Sequence, residues 1–358
     1  MPPVPYTIDG LPRSVDVDEQ DADKPIVLLL HGAKGRIEHM TAPAVAPDNN
    51  YDYLGPLGGE IAIGQRAYPG IGVYSCCSLD DPKPVRSWRE ALADNGFSTA
   101  AYSQLDPDGF LERPTRELVE VVRALNAAYD RPLVVVAHSR GGLLTRNFLK
   151  TFPEEAGTIR TVVTLHSPHT GSSIANLAES VRELIETLRS AFGDVVLDAL
   201  GWLLELAAAD AWRELSVGSP FLDDLADGET PPRGITFFTF GGVSVRLTRI
   251  RSWVYTLESA LPKWRIPPYD HARVEVEVPG ASPVADSLPN VIAELTEGRG
   301  DLLTADARTR LPFAKAHQTN AINHAEALWD PILQAQVLRL LGVEAPIGDR
   351  PGVPAFWG

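Results

Sequence analysis

The chain is predicted to be an α/β protein with a mostly parallel central sheet flanked by helices, and three observations carry that prediction. Continuous apolar runs rich in Val, Ile and Leu recur at 25–31 (PIVLLLH), 133–138 (LVVVAH) and 159–167 (IRTVVTLHS), the pattern of strands buried on both faces. Stretches with apolar residues at helical spacing, such as 115–130, fall between those runs. The run at 133–138 closes in a tight Ala-His-Ser-Arg-Gly turn and passes straight into a helix-like segment, GGLLTRNFLK. Strands alternating with amphipathic helices call for a parallel sheet covered on both faces.

In chain order, the first buried strand ends at His31-Gly32. A Gly/Pro/Tyr-rich stretch from 33 to about 82 reads as an irregular excursion. A helix at about 84–95, closed by Gly96, precedes a short strand at 97–103, and a longer helix follows at about 115–130. The strand at 133–138 leads into a helix that runs to about 151, and 159–167 makes a further strand. From 172 to 232 the alternation stops, and the segment reads as helices without a strand, a cap or lid inserted into the sheet domain. Strand pattern resumes at 234–242 (GITFFTFGG). Around 244–297 an insertion is expected, within which RVEVEV at 273–278 suggests a hairpin or edge strand, and 325–342 makes a closing helix. The predicted organisation is therefore a core from 1–171, a cap from 172–232 and the rest of the core from 233–358.

Bulk composition narrows the function. The 358 residues can bury a large core, and 44% hydrophobic with 22% charged residues is ordinary for a globular enzyme. A net charge of −15 argues against nucleic acid and anionic membrane surfaces as partners. The N-terminus has neither a basic region nor an apolar core of the secretory kind. The longest apolar run, 195–209, is broken by Asp198 and Glu205, so no integral membrane segment is expected. A soluble protein follows, cytoplasmic or secreted after removal of a signal. The two cysteines, Cys76 and Cys77, are adjacent; a vicinal disulfide is strained, so two thiols are expected, and a lone pair of this kind is a poor metal site.

The sharp corner between strand and helix puts Ser139 where a nucleophilic serine would stand, with small Ala137 and Gly141 on either side of a backbone that doubles back. A serine hydroxyl needs a base within hydrogen-bond reach, and the base needs an orienting acid. A serine at such a corner resembles the nucleophile elbow of α/β-hydrolases, and the resemblance implies the chain order serine, acid, histidine. Beyond the cap stand His271, His317 and His324; His324, just before the closing helix, is the expected base, with His317 as alternative. Asp301, in a loop flanked by Gly298 and Gly300, is the expected acid, with Asp286 and Asp306 as weaker alternatives. A tetrahedral intermediate needs two backbone N–H donors fixed beforehand. These are expected from Arg140, after the serine, and from Ala33, after Gly32; His31 precedes the serine and is read as structural. His138 and the cap residues Trp202, Leu203, Leu206 and Trp212 are the expected substrate contacts, suiting an acyl or aromatic group.

Taken together, LLLHGAKG, VVVAHSRGGLLTR, TLHSPHTGSS, RGDLLTADAR and NHAEALWDP resemble the bacterial lipase/esterase branch of the α/β-hydrolase superfamily. The resemblance implies the α/β-hydrolase fold with an inserted lid, and carboxylic-ester hydrolysis through Ser139, Asp301 and His324. It also implies that 167–173 marks the start of the lid, with His169 structural. The chain departs from the family pattern at Ala137, in place of the first elbow glycine, and at Leu302, where the Asp loop often has glycine. A small-molecule or lipid ester is the expected partner, with no cofactor and no metal. Acyl transfer to an alcohol by the same triad, and a hydrolase-fold binding protein without turnover, are the alternative readings.

Overall fold

The structure is a computed structural model that describes residues 2–33, 35–42, 60–63, 66–69, 86–176, 210–230, 233–245, 249–255, 271–277 and 292–343. In chain order these residues form β1 (Val4–Ile8), β2 (Leu11–Asp18), β3 (Ile26–Leu30), α1 (Ile37–Thr41), β4 (Glu60–Ile63) and β5 (Arg66–Pro69). There follow α2 (Trp88–Ala93), β6 (Ser98–Ala101), α3 (Glu112–Ala128), β7 (Leu133–His138), α4 (Arg140–Thr151) and β8 (Ile159–Leu165). The remainder comprises α5 (Ser173–Asn176), α6 (Asp210–Leu215), α7 (Pro220–Ala226), β9 (Thr236–Gly242), β10 (Arg249–Tyr255), β11 (His271–Glu277), β12 (Ala316–Asn320) and α8 (Pro331–Leu340).

Eight strands make one sheet in the order β1-β2-β6-β3-β7-β8-β9-β12. Every pairing from β6 to β12 is parallel, while β1 and β2 extend one side antiparallel. That hairpin precedes the first strand expected from the sequence, although its signals are present. Val4, Tyr6 and Ile8 alternate inward, and Asp9 (φ 50) with Gly10 (φ 77) supplies the two left-handed residues of a two-residue hairpin turn. β10 and β11 form a separate antiparallel hairpin, which is where the RVEVEV alternation falls, and β4 pairs with β5 in another.

The continuous apolar runs are explained by helices on both faces. Ile26, Leu28 and Leu30 of β3 face one core with α3 and α4, which contribute Leu118, Val122, Leu143 and Phe148. Val27 and Leu29 face the other, with Trp88 and Leu92 of α2 and Leu333, Val337 and Leu338 of α8. Capping fixes the ends of the second layer. Ser87 and Glu90 of α2 exchange side-chain to backbone hydrogen bonds, and Asp330 accepts from Leu333 N at 2.8 Å ahead of Pro331 in α8. Trp88 is fully buried and donates Nε1–H to Ala327 O at 2.9 Å, locking α2 to the turn that follows β12.

Of the segment 172–232, the structure describes residues 172–176 and 210–230, which hold α5, α6 and α7; residues 177–209, including Trp202, Leu203 and Leu206, lie outside the described residues, as do 231–232, Cys76 and Cys77. The chain leaves and returns at one place. Ser172 bridges Ser216, and the Asn176 side chain accepts from Val217 N at 2.8 Å and donates to Val217 O at 3.0 Å. Among the described residues no helix is long and apolar enough to cross a membrane.

The β1–β2 turn allows a clean test of backbone strain, because a Cβ on Gly10 would meet nothing within 4 Å. Gly10→Ala is expected to lower the unfolding free energy by about 1–2 kcal/mol through the left-handed backbone alone, read from the urea midpoint. An unshifted midpoint would contradict the turn geometry.

Candidate active site

The carboxyl ends of β3, β7, β8, β9 and β12 bring their loops to one edge of the sheet, and the site is built there. β7 ends at His138 and α4 begins at Arg140, so one residue makes the corner between them. Ser139 takes φ 54 and ψ −128, a conformation that costs an L residue on the order of 1–3 kcal/mol. Its N–H donates to Leu165 O at 2.8 Å, which ties the corner to β8. Glycines supply the space around it. A Cβ on Gly141 would lie 2.8 Å from His31 O, and one on Gly32 would lie 2.7 Å from Ser139 Cβ. The loop after β3 therefore runs directly against the serine, with Ala33 buried one residue further on.

His324 lies in the loop between β12 and the 3-10 turn Glu326–Leu328. Its Nε2 is 2.8 Å from Ser139 Oγ, and its Nδ1 is 2.9 Å from Asp301 Oδ2. An ionised carboxylate only accepts, so Nδ1 carries the proton and Nε2 of the neutral ring presents a lone pair to the hydroxyl. The loop itself is held on two sides. His324 N donates to Asp301 O at 2.9 Å, and the His138 ring nitrogen lies 2.9 Å from His324 O.

Asp301 is completely buried. Oδ1 accepts from Leu303 N at 3.0 Å and Thr304 N at 2.7 Å, while Oδ2 faces Nδ1 of both His324 and His166. Burial alone would push this carboxyl up; the charge interaction with His324 and the hydrogen bonds from His166 and His324 outweigh it and hold Asp301 well below the usual carboxylate range. The turn beyond it needs Leu302 at φ 88, a glycine-like conformation at the position where the sequence departs from the family's glycine.

The sequence places His166 within the strand expected at 159–167 and gives it no role in the site. It is fully buried, has φ 54, and places Nδ1 2.8 Å from Asp301 Oδ2. Its Nε2 has no hydrogen-bond partner among the described residues, a state that costs about 1–3 kcal/mol for a buried polar atom. Only the pairing of the strands reveals its place: β7 and β8 run in parallel register through His138↔Leu165, so His166 follows β8 as Ser139 follows β7. His166, Asp301 and His324 bring three potential ligand atoms within 4.8 Å of one another. A metal there would have to replace the two protons that now join the rings to the carboxylate.

The other expected residues separate clearly. Asp306 and His317, the runner-up acid and base, pair with each other: His317 Nε2 is 3.0 Å from Asp306 Oδ1, and its Nδ1 is 2.8 Å from Thr239 Oγ1. Asp286 and the side chain of His271 lie outside the described residues. Two of the expected substrate contacts are buried. His138 is fully buried, with a ring nitrogen 2.9 Å from the carbonyl of His324. Trp212 is buried in the core with Leu215, Leu222 and Leu225. The Arg140 side chain is also buried; its guanidinium donates to Pro107 O and Gly109 O and lies 3.6 Å from Glu214, whose carboxylate accepts from Leu111 N. His31 is held in the interior, with Nδ1 2.9 Å from Gly32 O and Nε2 accepting from Gln104 N at 3.0 Å; burial lowers its pKa to about 4. His169 is buried against Thr164 at 2.9 Å.

No protein-family model matches the chain, and no curated protein sequence matches it. Among solved structures, the mature form of the Bacillus licheniformis lipase BlEst2 superposes with a TM-score of 0.54 at 17% identity, covering 91% of this chain and 97% of that one. The propeptide form of the same lipase gives a TM-score of 0.54 at 18% identity, covering 94% of this chain and 55% of that one. The chain has the α/β-hydrolase fold. In an α/β-hydrolase the corner after a central strand, the loop after the first parallel strand and the loop before the closing helix meet at the carboxyl edge of the sheet. Ser139, Gly32 and His324 occupy those three places.

The Asp306 pair gives a test away from the serine. Burial pushes this carboxyl up, but hydrogen bonds from His317, Arg310 and Thr319 outweigh it and bring it from the ordinary 3.8 to about 2. A carboxyl depressed on folding stabilises above its unfolded value, and that contribution is lost as pH falls through the folded one. Asp306→Asn is expected to lower Tm at neutral pH, and its gap from the native protein should close as pH falls from about 4 towards 2. A gap that stays constant over that window would contradict the assignment.

Proposed function

We propose that the protein is a serine hydrolase that cleaves carboxylic esters through an acyl-enzyme intermediate. The observation that carries the reading is the continuous chain Ser139 Oγ–His324 Nε2 at 2.8 Å and His324 Nδ1–Asp301 Oδ2 at 2.9 Å, mounted on a strained corner. His324 takes the hydroxyl proton as Oγ attacks the ester carbonyl, and Asp301 stabilises the imidazolium that forms. The negative oxygen of the tetrahedral intermediate is held by the amides of Arg140 and Ala33. As the first residue of α4, Arg140 has an N–H with no acceptor inside the helix, and Gly32 lets the neighbouring loop approach. The imidazolium protonates the leaving alcohol. Water, deprotonated by the same ring, then releases the acid and restores Ser139.

The substrate in this reading is a small-molecule or lipid ester. The lipase character of the matched solved structure is a property of that protein, and it supports the same reaction class here without fixing acyl length. Residues 172–232 are read as an inserted cap, supported by the Asn176–Val217 clasp that brings its two ends together. Arg140 contributes to this reading through its backbone only; its side chain joins the corner to Glu214 at the returning end of the cap.

Hydrolysis of a nitrophenyl ester series from short to long acyl groups tests the reading. Ser139→Ala is expected to abolish turnover while leaving the melting curve in place, and retained turnover would reject the nucleophile. His324→Ala should lower kcat by roughly three or more orders of magnitude, whereas His317→Ala should leave it nearly unchanged. The reverse ranking would move the base to the Asp306 pair.

A further inference from the structure

Two unfavourable features coincide at His166, and both sit behind one contact. The backbone is left-handed at φ 54 although the residue is not glycine, and the buried Nε2 lacks a hydrogen-bond partner among the described residues. What the ring gains is the 2.8 Å contact of Nδ1 with Asp301 Oδ2, the same oxygen that faces His324. Space for it is reserved at the end of β9, where a Cβ on Gly242 would collide with the His166 ring and lie 2.8 Å from Asp301 Cβ. A side chain that serves only to fill the core would satisfy its polar atoms or dispense with them.

We propose that His166 is a positioning residue for the base: its Nδ1–H fixes Asp301 Oδ2 and takes a share of the carboxylate charge, so that His324 is both oriented and moderated in basicity. The inference rests on the serine-hydrolase reading of the site. Oδ1 is already held by the backbone amides of Leu303 and Thr304; the second donor on Oδ2 stops the carboxylate rotating as His324 gains and loses its proton. A carboxylate whose charge is divided between two rings holds the charged form of either less strongly than one aimed at a single ring. The titratable groups that face His166 among the described residues are Asp301, His324 from the loop after β12, with ring centroids 6.0 Å apart, and His138 at the end of β7.

Two variants separate the donor from the bulk. His166→Gly suits the left-handed backbone and removes the ring; His166→Asn also tolerates that backbone and sets an amide N–H close to the Nδ1 position. In ester hydrolysis by the full chain, His166→Gly is expected to lower kcat by up to about a hundredfold, the scale of loss that a small misplacement of a reacting group brings. KM should stay within about twofold, the acid limb of kcat/KM should move to higher pH, and His166→Asn should recover most of kcat. A second readout does not depend on turnover: the downfield proton resonance of the His324 Nδ1–H bonded to Asp301 should shift in His166→Gly and return towards its native position in His166→Asn. Unchanged kcat and acid limb in His166→Gly, or an unmoved resonance in the folded variant, would overturn the proposal. If the native protein hydrolyses no ester, the hydrolase reading fails by itself, and the resonance still reports whether His166 shares the carboxylate.

Discussion

Asp301 is a carboxylate removed from water, and it stays charged because four N–H groups take the place of the lost hydration. Two come from the backbone of its own turn, at Leu303 and Thr304, and two from imidazole rings carried on the loops after β8 and β12. A buried charge with fewer partners would be lost to protonation. The rest of the site follows from satisfying this one group. The turn closes only with Leu302 in a glycine-like conformation, and its carbonyl at Asp301 accepts from His324 N. His324 is thereby gripped through its amide, its ring and its carbonyl, the last by His138. Its remaining nitrogen has one direction left, towards Ser139.

Strain and space are distributed accordingly. Of the four non-glycine residues with left-handed backbone among the described residues, Ser139, His166 and Leu302 belong to this cluster. Each is held by a backbone hydrogen bond: Ser139 N donates to Leu165 O of β8, His166 N to Phe240 O of β9, and Leu302 N to Glu294 O. Close approach is bought with glycine at three places, Gly32, Gly141 and Gly242, where a single methyl group would strike the serine, the β3 backbone or Asp301. The buried Arg140–Glu214 pair extends the same rigidity outward, fastening the start of α4 to the loop before α3 and to the end of the 172–232 segment. A buried ion pair of this sort is weak evidence for stability, because the cost of desolvating both charges offsets their attraction.

Much of this was legible in the sequence because local physics wrote it there. A buried parallel strand needs an uninterrupted apolar run, and a one-residue corner needs small neighbours, so β3, β7, β8 and Ser139 could be read directly. Chain order then narrowed the acid and base to few choices, and Asp301 with His324 are the pair that reaches the serine. The runners-up were not idle residues: Asp306 and His317 found each other over Thr239, which no local pattern announces. His166 was hidden for a different reason. Its role depends on lateral register between β7 and β8, a property of two strands and not of either one. The β1–β2 hairpin was hidden by its edge position, where half the residues face solvent and the apolar signal is halved. An apolar or imidazole side chain near a site, such as Trp212 or His138, looks the same in sequence whether it lines an opening or supports the wall behind it.

In the proposed mechanism the hydroxyl of Ser139, the imidazole of His324 and the backbone amides of Ala33 and Arg140 converge around one reacting carbonyl. A crystal structure of the protein after reaction with an alkyl fluorophosphonate tests it most directly. The expected adduct has a phosphorus–Oγ bond at Ser139, with one phosphoryl oxygen between the amides of Ala33 and Arg140 and His324 Nε2 beside the ester oxygen. An adduct on any other residue, or a phosphoryl oxygen turned away from both amides, would contradict it.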